Sequence, residues 1–137
     1  MKEKIWLLAC LFPLSLLGQN RLQIDVEGVE ASEGEIQVAV YNQAENFLTI
    51  EGVYRSDSTK ASKGTTRVFL EDLPSGRYAL AIFHDRNSNR ELDTNWIGIP
   101  KEPMGFSNSR MKTFGPPSFR DCELFLESDS HIVIRLE

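Results

Sequence analysis

The feature that most constrains this chain is a period-two hydrophobic pattern that recurs in short segments. Leu22, Ile24 and Val26 alternate with Gln23, Asp25 and Glu27, and Ile36, Val38 and Val40 follow after the turn residues Ser32-Glu33-Gly34. Val68 and Leu70, then Cys122, Leu124 and Leu126, then Ile132, Ile134 and Leu136 continue it. Successive side chains of a strand point to opposite faces, so this spacing gives strands with one apolar face and one wet face. Residues 78–83 are apolar at every position, which suits a central strand covered on both sides. No window carries the three-four spacing of a long amphipathic helix. The expectation is an all-β fold: a single antiparallel β-sandwich of about seven strands in two sheets. Its inward set is Leu22, Ile24, Val26, Ile36, Val38, Val40, Val68, Leu70, Tyr78, Leu80, Ile82, Leu124, Leu126, Ile132 and Ile134.

The first 18 residues read differently. A net basic start, Met1-Lys2-Glu3-Lys4, precedes an apolar run over residues 5–17 that is interrupted by Pro13 and Ser15, and Gly18 follows as a small residue. That is the pattern of a secretory signal peptide, and the run falls short of the ~20 residues a spanning helix needs. The expectation is a leader over 1–18, cleavage near Gly18, a mature domain over 19–137 without a transmembrane anchor, and a periplasmic or secreted location. Leu7-Leu8-Ala9-Cys10 resembles a lipoprotein box but comes too early in the apolar run. The leader carries two Lys and one Glu, so its removal takes the formal charge from −5 to −6. An acidic domain does not suit nucleic acid. Cys122 is then the sole cysteine, so no internal disulfide forms, and its alternating context reads as a buried structural thiol.

Chemistry concentrates in His84-Asp85-Arg86-Asn87-Ser88-Asn89-Arg90-Glu91-Leu92-Asp93-Thr94-Asn95. Asp85, Asn87, Asn89 and Asp93 stand at positions 1, 3, 5 and 9 of a loop, and the backbone carbonyl of Glu91 stands at position 7. That is the spacing with which a loop wraps calcium in oxygen ligands. The competing reading is a hairpin end laced by Asx turns, because Asn and Asp bond their own backbone and tolerate left-handed conformations. Position 12 is Trp96, so the bidentate Glu of a helix-loop-helix site is absent, unless Glu102 folds back to complete the shell.

Two regions break the strand pattern. Residues 41–66 are polar and mixed around Phe47-Leu48-Thr49-Ile50, with room for a turn of helix and one or two edge strands. Residues 85–118 form a 34-residue loop region rich in Asn, Pro, Gly and Ser, a length that is usually functional or disordered in a small domain. Trp96, Ile97, Ile99, Met104 and Phe106 argue for order. Trp96 and Phe106 read as a cover for the loop, or as a stacking surface for a sugar or peptide. Lys101-Glu102 reads as a solvated pair, and His131 as a wet-face residue. Ser107 with His84 and Asp85 lacks the strand-turn-helix setting of a nucleophile elbow, so no catalytic set is assigned.

The stretch Leu73-Pro74-Ser75-Gly76-Arg77-Tyr78-Ala79, Phe83-His84-Asp85, Asn87, Asn89, Leu92-Asp93-Thr94-Asn95 and Gly98-Ile99-Pro100-Lys101-Glu102-Pro103-Met104-Gly105-Phe106-Ser107-Asn108, with Pro116-Pro117-Ser118-Phe119 and Asp121, resembles the bacterial family known as domain of unknown function 2141. The likeness covers nearly the whole mature chain. It implies an exported β-sandwich of immunoglobulin-like or transthyretin-like type, with no established activity. Members of the family tend to have glycine where this chain has Ser88 and Arg90. Arg90 holds the sixth loop position, where a sharp turn with positive φ is needed, at a cost of about 1 kcal/mol for a non-glycine residue. The functional expectation is an exported, non-enzymatic binding or structural module with a calcium-organised loop, meeting a protein, peptide or glycan at the cell envelope. The alternative is a small enzyme or ligand carrier with its site around His84, Asp85 and residues 98–108.

Overall fold

A computed structural model describes residues 19–93 and 100–137. The expected leader, and Thr94, Asn95, Trp96, Ile97, Gly98 and Ile99, lie outside the described residues. The described elements run β1 (Gln19–Val29), β2 (Glu35–Tyr41), β3 (Arg55–Lys60), β4 (Gly64–Pro74), β5 (Gly76–Asp85), β6 (Met104–Phe106), α1 (Phe119–Cys122), β7 (Leu124–Leu126) and β8 (Ser130–Arg135). The fold is an all-β sandwich, with a three-stranded sheet in the order β4-β1-β8 facing a sheet in the order β3-β2-β5-β6, to which β7 adds by pairing with β5.

The described residues hold eight strands, in keeping with the expected number of about seven. Two details correct the sequence reading. One pair is parallel: β8 runs alongside β1, with Ile24 opposite Ile132. The chain reaches β8 by crossing from β7 in the other sheet, and such a crossover, unlike a tight hairpin, does not force antiparallel pairing. Cys122 closes α1 instead of opening a strand, because Ser118 caps that turn: its side chain accepts the Asp121 N–H while the Asp121 carboxylate accepts the Ser118 N–H.

The expected inward set is buried throughout, except Ile132, which is partly buried against the core. The alternation misses Val29 and Leu73, which are also buried. Both lie beyond β-bulges. Arg21 faces two residues of β4, Glu71 and Asp72, and Asp72 takes φ 57; Gly28, at φ 77, is the extra residue on β1 before Val29. Each bulge adds one residue and returns the next apolar side chain to the inner face.

As its pattern predicts, β5 is central, with β2 on one side and β6 and β7 on the other. Leu80 and Ile82 face the main core. Ala79 belongs to a second cluster with Phe106 and Cys122, against which Phe47, Ala81, Met104 and Phe119 pack. Phe47 meets Tyr41 and Phe119 edge to face, with ring centres 5.0 and 5.7 Å apart. Phe106 is therefore a buried core residue rather than a stacking surface. In residues 41–66 the structure has turns, the polar edge strand β3 and the start of β4, and no helix. Part of the region read as loop forms β6, whose Met104 exchanges backbone hydrogen bonds with Glu137 and so ties the second sheet to the end of the first. Among the described residues no helix is long and apolar enough to cross a membrane.

Candidate functional site

Strand β5 ends at Asp85, and the side chain of that residue organises the loop beyond it. Asp85 is fully buried. Its Oδ1 accepts the Asn89 N–H at 3.2 Å, and its Oδ2 accepts the Arg90 N–H at 2.7 Å and the Gln37 amide at 3.3 Å. A buried carboxylate needs such donors, and these come from the fifth and sixth loop positions, so the chain must curl back over Asp85. The curl uses left-handed backbone at Ser88 (φ 54) and Arg90 (φ 63), the two positions at which glycine would be easier. Two Asx turns carry it forward: Asn87 Oδ1 accepts the Asn89 N–H, and Asn89 Oδ1 accepts the Glu91 N–H.

Asp93 closes the loop. Asn87 Nδ2 donates to its Oδ2 at 2.6 Å, and Asn89 Nδ2 donates to its Oδ1 at 2.8 Å. These amide donors, Asn89 first, hold the Asp93 carboxyl below the usual carboxylate range against a smaller desolvation effect. Of the expected oxygen ligands, Asn87, Asn89 and Asp93 are thus in mutual contact. Asp85 lies beneath them, turned to backbone N–H groups, and Glu91 is tied in through its own N–H. Among the described residues no three acidic, histidine or cysteine side chains gather as a metal-holding group. The loop offers two carboxylates and two amides instead.

Glu102 corrects another expectation. It is not half of a solvated pair but is buried, with 9% of its surface exposed. Its Oε2 accepts the Arg86 N–H at 3.0 Å and its Oε1 the Asp93 N–H at 2.9 Å, so one carboxylate grips the entry and the exit of the loop. The Lys101 N–H adds a bond to the Asp93 carbonyl at 2.7 Å. Gly34 presses from the other side. The sequence marks Gly34 only as a turn residue and gives Gln37 no role. The contacts of both depend on β2 lying beside β5, which no local pattern states.

The catalytic candidates are each engaged in separate structural bonds. His84 is fully buried; its Nε2 donates to the Glu33 carbonyl at 2.7 Å, and its Nδ1 has no hydrogen-bond partner. Ser107, also buried, donates to the Cys122 carbonyl at 2.6 Å and accepts the Leu80 N–H at 2.9 Å. Burial, with Asp121 adding to it, pushes the Cys122 thiol up to about 11. His131 is exposed, as expected, and bonds Asp25 at 2.8 Å on the outer face of the three-stranded sheet.

A family model described as an uncharacterized protein conserved in bacteria (DUF2141) matches residues 24–133, and the chain belongs to that family. Comparison with curated proteins and with solved structures finds no match.

Proposed function

We propose that this DUF2141 member is an exported, non-enzymatic β-sandwich module whose loop at 85–93 is organised by calcium. The observation that carries the reading is the convergence of the Asn87 and Asn89 amides on the Asp93 carboxylate, above an Asp85 held by loop positions five and six. Amide groups rotate about a soft torsion. Turning Asn87 and Asn89 over would set two carbonyl oxygens beside the Asp93 carboxylate, an arrangement that repels unless a cation sits among them. Two carboxylates, two amide oxygens and the Glu91 carbonyl then make a hard-oxygen set suited to calcium. The first 18 residues support export, to surroundings where a weak site can fill.

The non-enzymatic part rests on the bonds already made by His84 and Ser107 and on the burial of Cys122. None is left with an exposed reactive atom beside another. Calorimetric titration of calcium into chelator-treated protein tests the proposal. Heat of binding at one site, lost in Asp93→Ala, supports it. No heat in the wild type would leave the loop as a hydrogen-bonded turn.

A further inference from the structure

The large apolar side chains on the surface differ in what covers them. Phe69 has the Arg21 guanidinium 4.0 Å over its ring, and Phe125 has that of Arg77 at 4.8 Å. Phe114 is fully exposed, and among the described residues no ring or guanidinium stacks on it. The chain around it is built as a finger. Lys112 and Gly115 exchange backbone hydrogen bonds at 2.9 and 3.3 Å, so Thr113 and Phe114 are the two residues of a tight turn. Gly115 takes φ 140, and no atom lies within 4 Å of the place a Cβ would take there, so the turn stands clear of the domain. Its base is fixed. Pro116 and Pro117 each lock φ, Pro117 is buried, and the Lys112 ammonium pairs with Asp121 of α1 at 2.6 Å. The phenyl group is therefore held out in water by a stiff support.

Charge sets this tip apart from Ile50, which is nearly as exposed. Residues 42–54 around Ile50 hold Glu45 and Glu51 and no Lys or Arg, whereas residues 109–120 hold Arg110, Lys112 and Arg120 and no acid. Removing those three positive charges from the formal −5 of the chain leaves −8 on the rest. Lys112 is neutralised by Asp121, but Arg110 and Arg120 are exposed and form no ion pair among the described residues. At physiological salt, charges act over about 8 Å, so a surface met by the finger feels these two groups more than the acids elsewhere. A tip of four residues is too small for a stable protein interface, which buries on the order of 1,000 Å² or more. A bilayer makes no such demand. It takes up single apolar side chains, and anionic headgroups present phosphates that match the donor fork of arginine.

We propose that residues 110–116 form a membrane-docking finger for an anionic bilayer, with Phe114 at the boundary of headgroups and acyl chains and Arg110 and Arg120 on lipid phosphates. One phenyl group is a smaller anchor than a single acyl chain, so the contact is weak and reversible. It does not depend on an ion in the 85–93 loop.

NMR of the nitrogen-15-labelled chain with bicelles of phosphatidylcholine and phosphatidylglycerol, in chelator, tests it. A spin-labelled lipid should broaden the amide signals of residues 112–115, and reading residue by residue keeps this contact apart from any made by residues 5–17. Binding at the finger should weaken about tenfold or more in Phe114→Ala, through the lost burial of the ring. It should weaken about tenfold or more in Arg110→Gln/Arg120→Gln, and likewise when the bicelles are phosphatidylcholine alone. Ile50→Ala should bind as the wild type does. Phe114 and Ile50 are both exposed, so Phe114→Ala and Ile50→Ala should melt with the wild type. Unbroadened finger signals, undiminished binding in Phe114→Ala or in the double variant, an equal loss in Ile50→Ala, or equal broadening by phosphatidylcholine alone would each overturn the proposal. A finger that meets a protein instead would give the first of these. The chelator keeps the outcome separate from the calcium reading.

Discussion

The Glu102 carboxylate accepts the backbone N–H of Asp93 at 2.9 Å, across nine positions of sequence. Its second oxygen does the same for Arg86, so the two ends of the loop are held by one side chain from the segment that leads into β6. Glu102→Ala should strip both N–H groups of their acceptor. At about 1–3 kcal/mol for each unsatisfied buried group, a total loss of roughly 2–6 kcal/mol is expected. Urea unfolding reads this as a lower midpoint at unchanged slope. A shift within error would mean that water replaces the carboxylate freely and that the clamp is not structural.

Gly34 makes the opposite face of the loop. It takes φ 68, and a Cβ there would stand 2.0 Å from the Asp85 carbonyl oxygen and 2.7 Å from Arg86 Cα. Both neighbours are backbone and cannot swing aside. Gly34→Ala should cost about 3 kcal/mol or more, through combined strain and overpacking. Gly64 is the control, with φ 93 and nothing within 4 Å of the place a Cβ would take. Gly64→Ala should cost only about 1 kcal/mol, the backbone penalty alone. Equal costs at the two sites would refute the close approach.

The Cys122 thiol should be inert in the folded protein. It is fully buried and pushed up to about 11, so almost none is thiolate near neutral pH. Iodoacetamide at pH 8, followed by peptide mass spectrometry at Cys122, should find labelling only after denaturant is added. Labelling at the same rate in native and unfolded protein would contradict the packing of the second cluster.

Asp121 should titrate far below an ordinary carboxyl. The Lys112 ammonium at 2.6 Å is the main cause and the Ser118 cap the next, and together they lower it to about 2. The sign follows from the depressed value: the stabilisation is fully present above the ordinary value of 3.8 and disappears as pH falls towards 2. Carbon-13 titration of the carboxyl should place the midpoint near 2 in the wild type and higher in Lys112→Ala. An unmoved midpoint would assign the shift to the helix cap instead.

Much of the fold is legible in the sequence, because a buried face on a strand must repeat every second residue. The pattern goes silent where that rule is broken. Val29 and Leu73 sit beyond bulges, and β3, Arg-Ser-Asp-Ser-Thr-Lys, is an edge strand with no apolar alternation at all. The parallel neighbour of β1 is invisible for a related reason, since pairing between distant segments leaves no local mark. In the site, the spacing of Asp85, Asn87, Asn89 and Asp93 is legible, and so is the strained sixth position at Arg90. Glu102 is legible only as an acid that could fold back and Gly34 only as a turn residue, and Gln37 is not legible at all. Their roles are set by backbone and side-chain partners brought close only by the pairing of separate segments.

The central claim is that a cation organises the loop, and thermal unfolding in calcium and in chelator tests it most directly. A ligand that binds only the native state raises stability by mass action. For a weak extracellular-type site filled at roughly 10 to 100 times its dissociation constant, the gain is about 1.4–2.7 kcal/mol, or roughly 5–10 °C for a domain of this size. The wild type should show that rise in calcium, and Asp85→Ala and Asp93→Ala should both melt lower and lose the calcium-dependent part. Identical melting temperatures for the wild type in calcium and in chelator would contradict the account and leave Asp85, Asn87, Asn89 and Asp93 as a hydrogen-bonded turn.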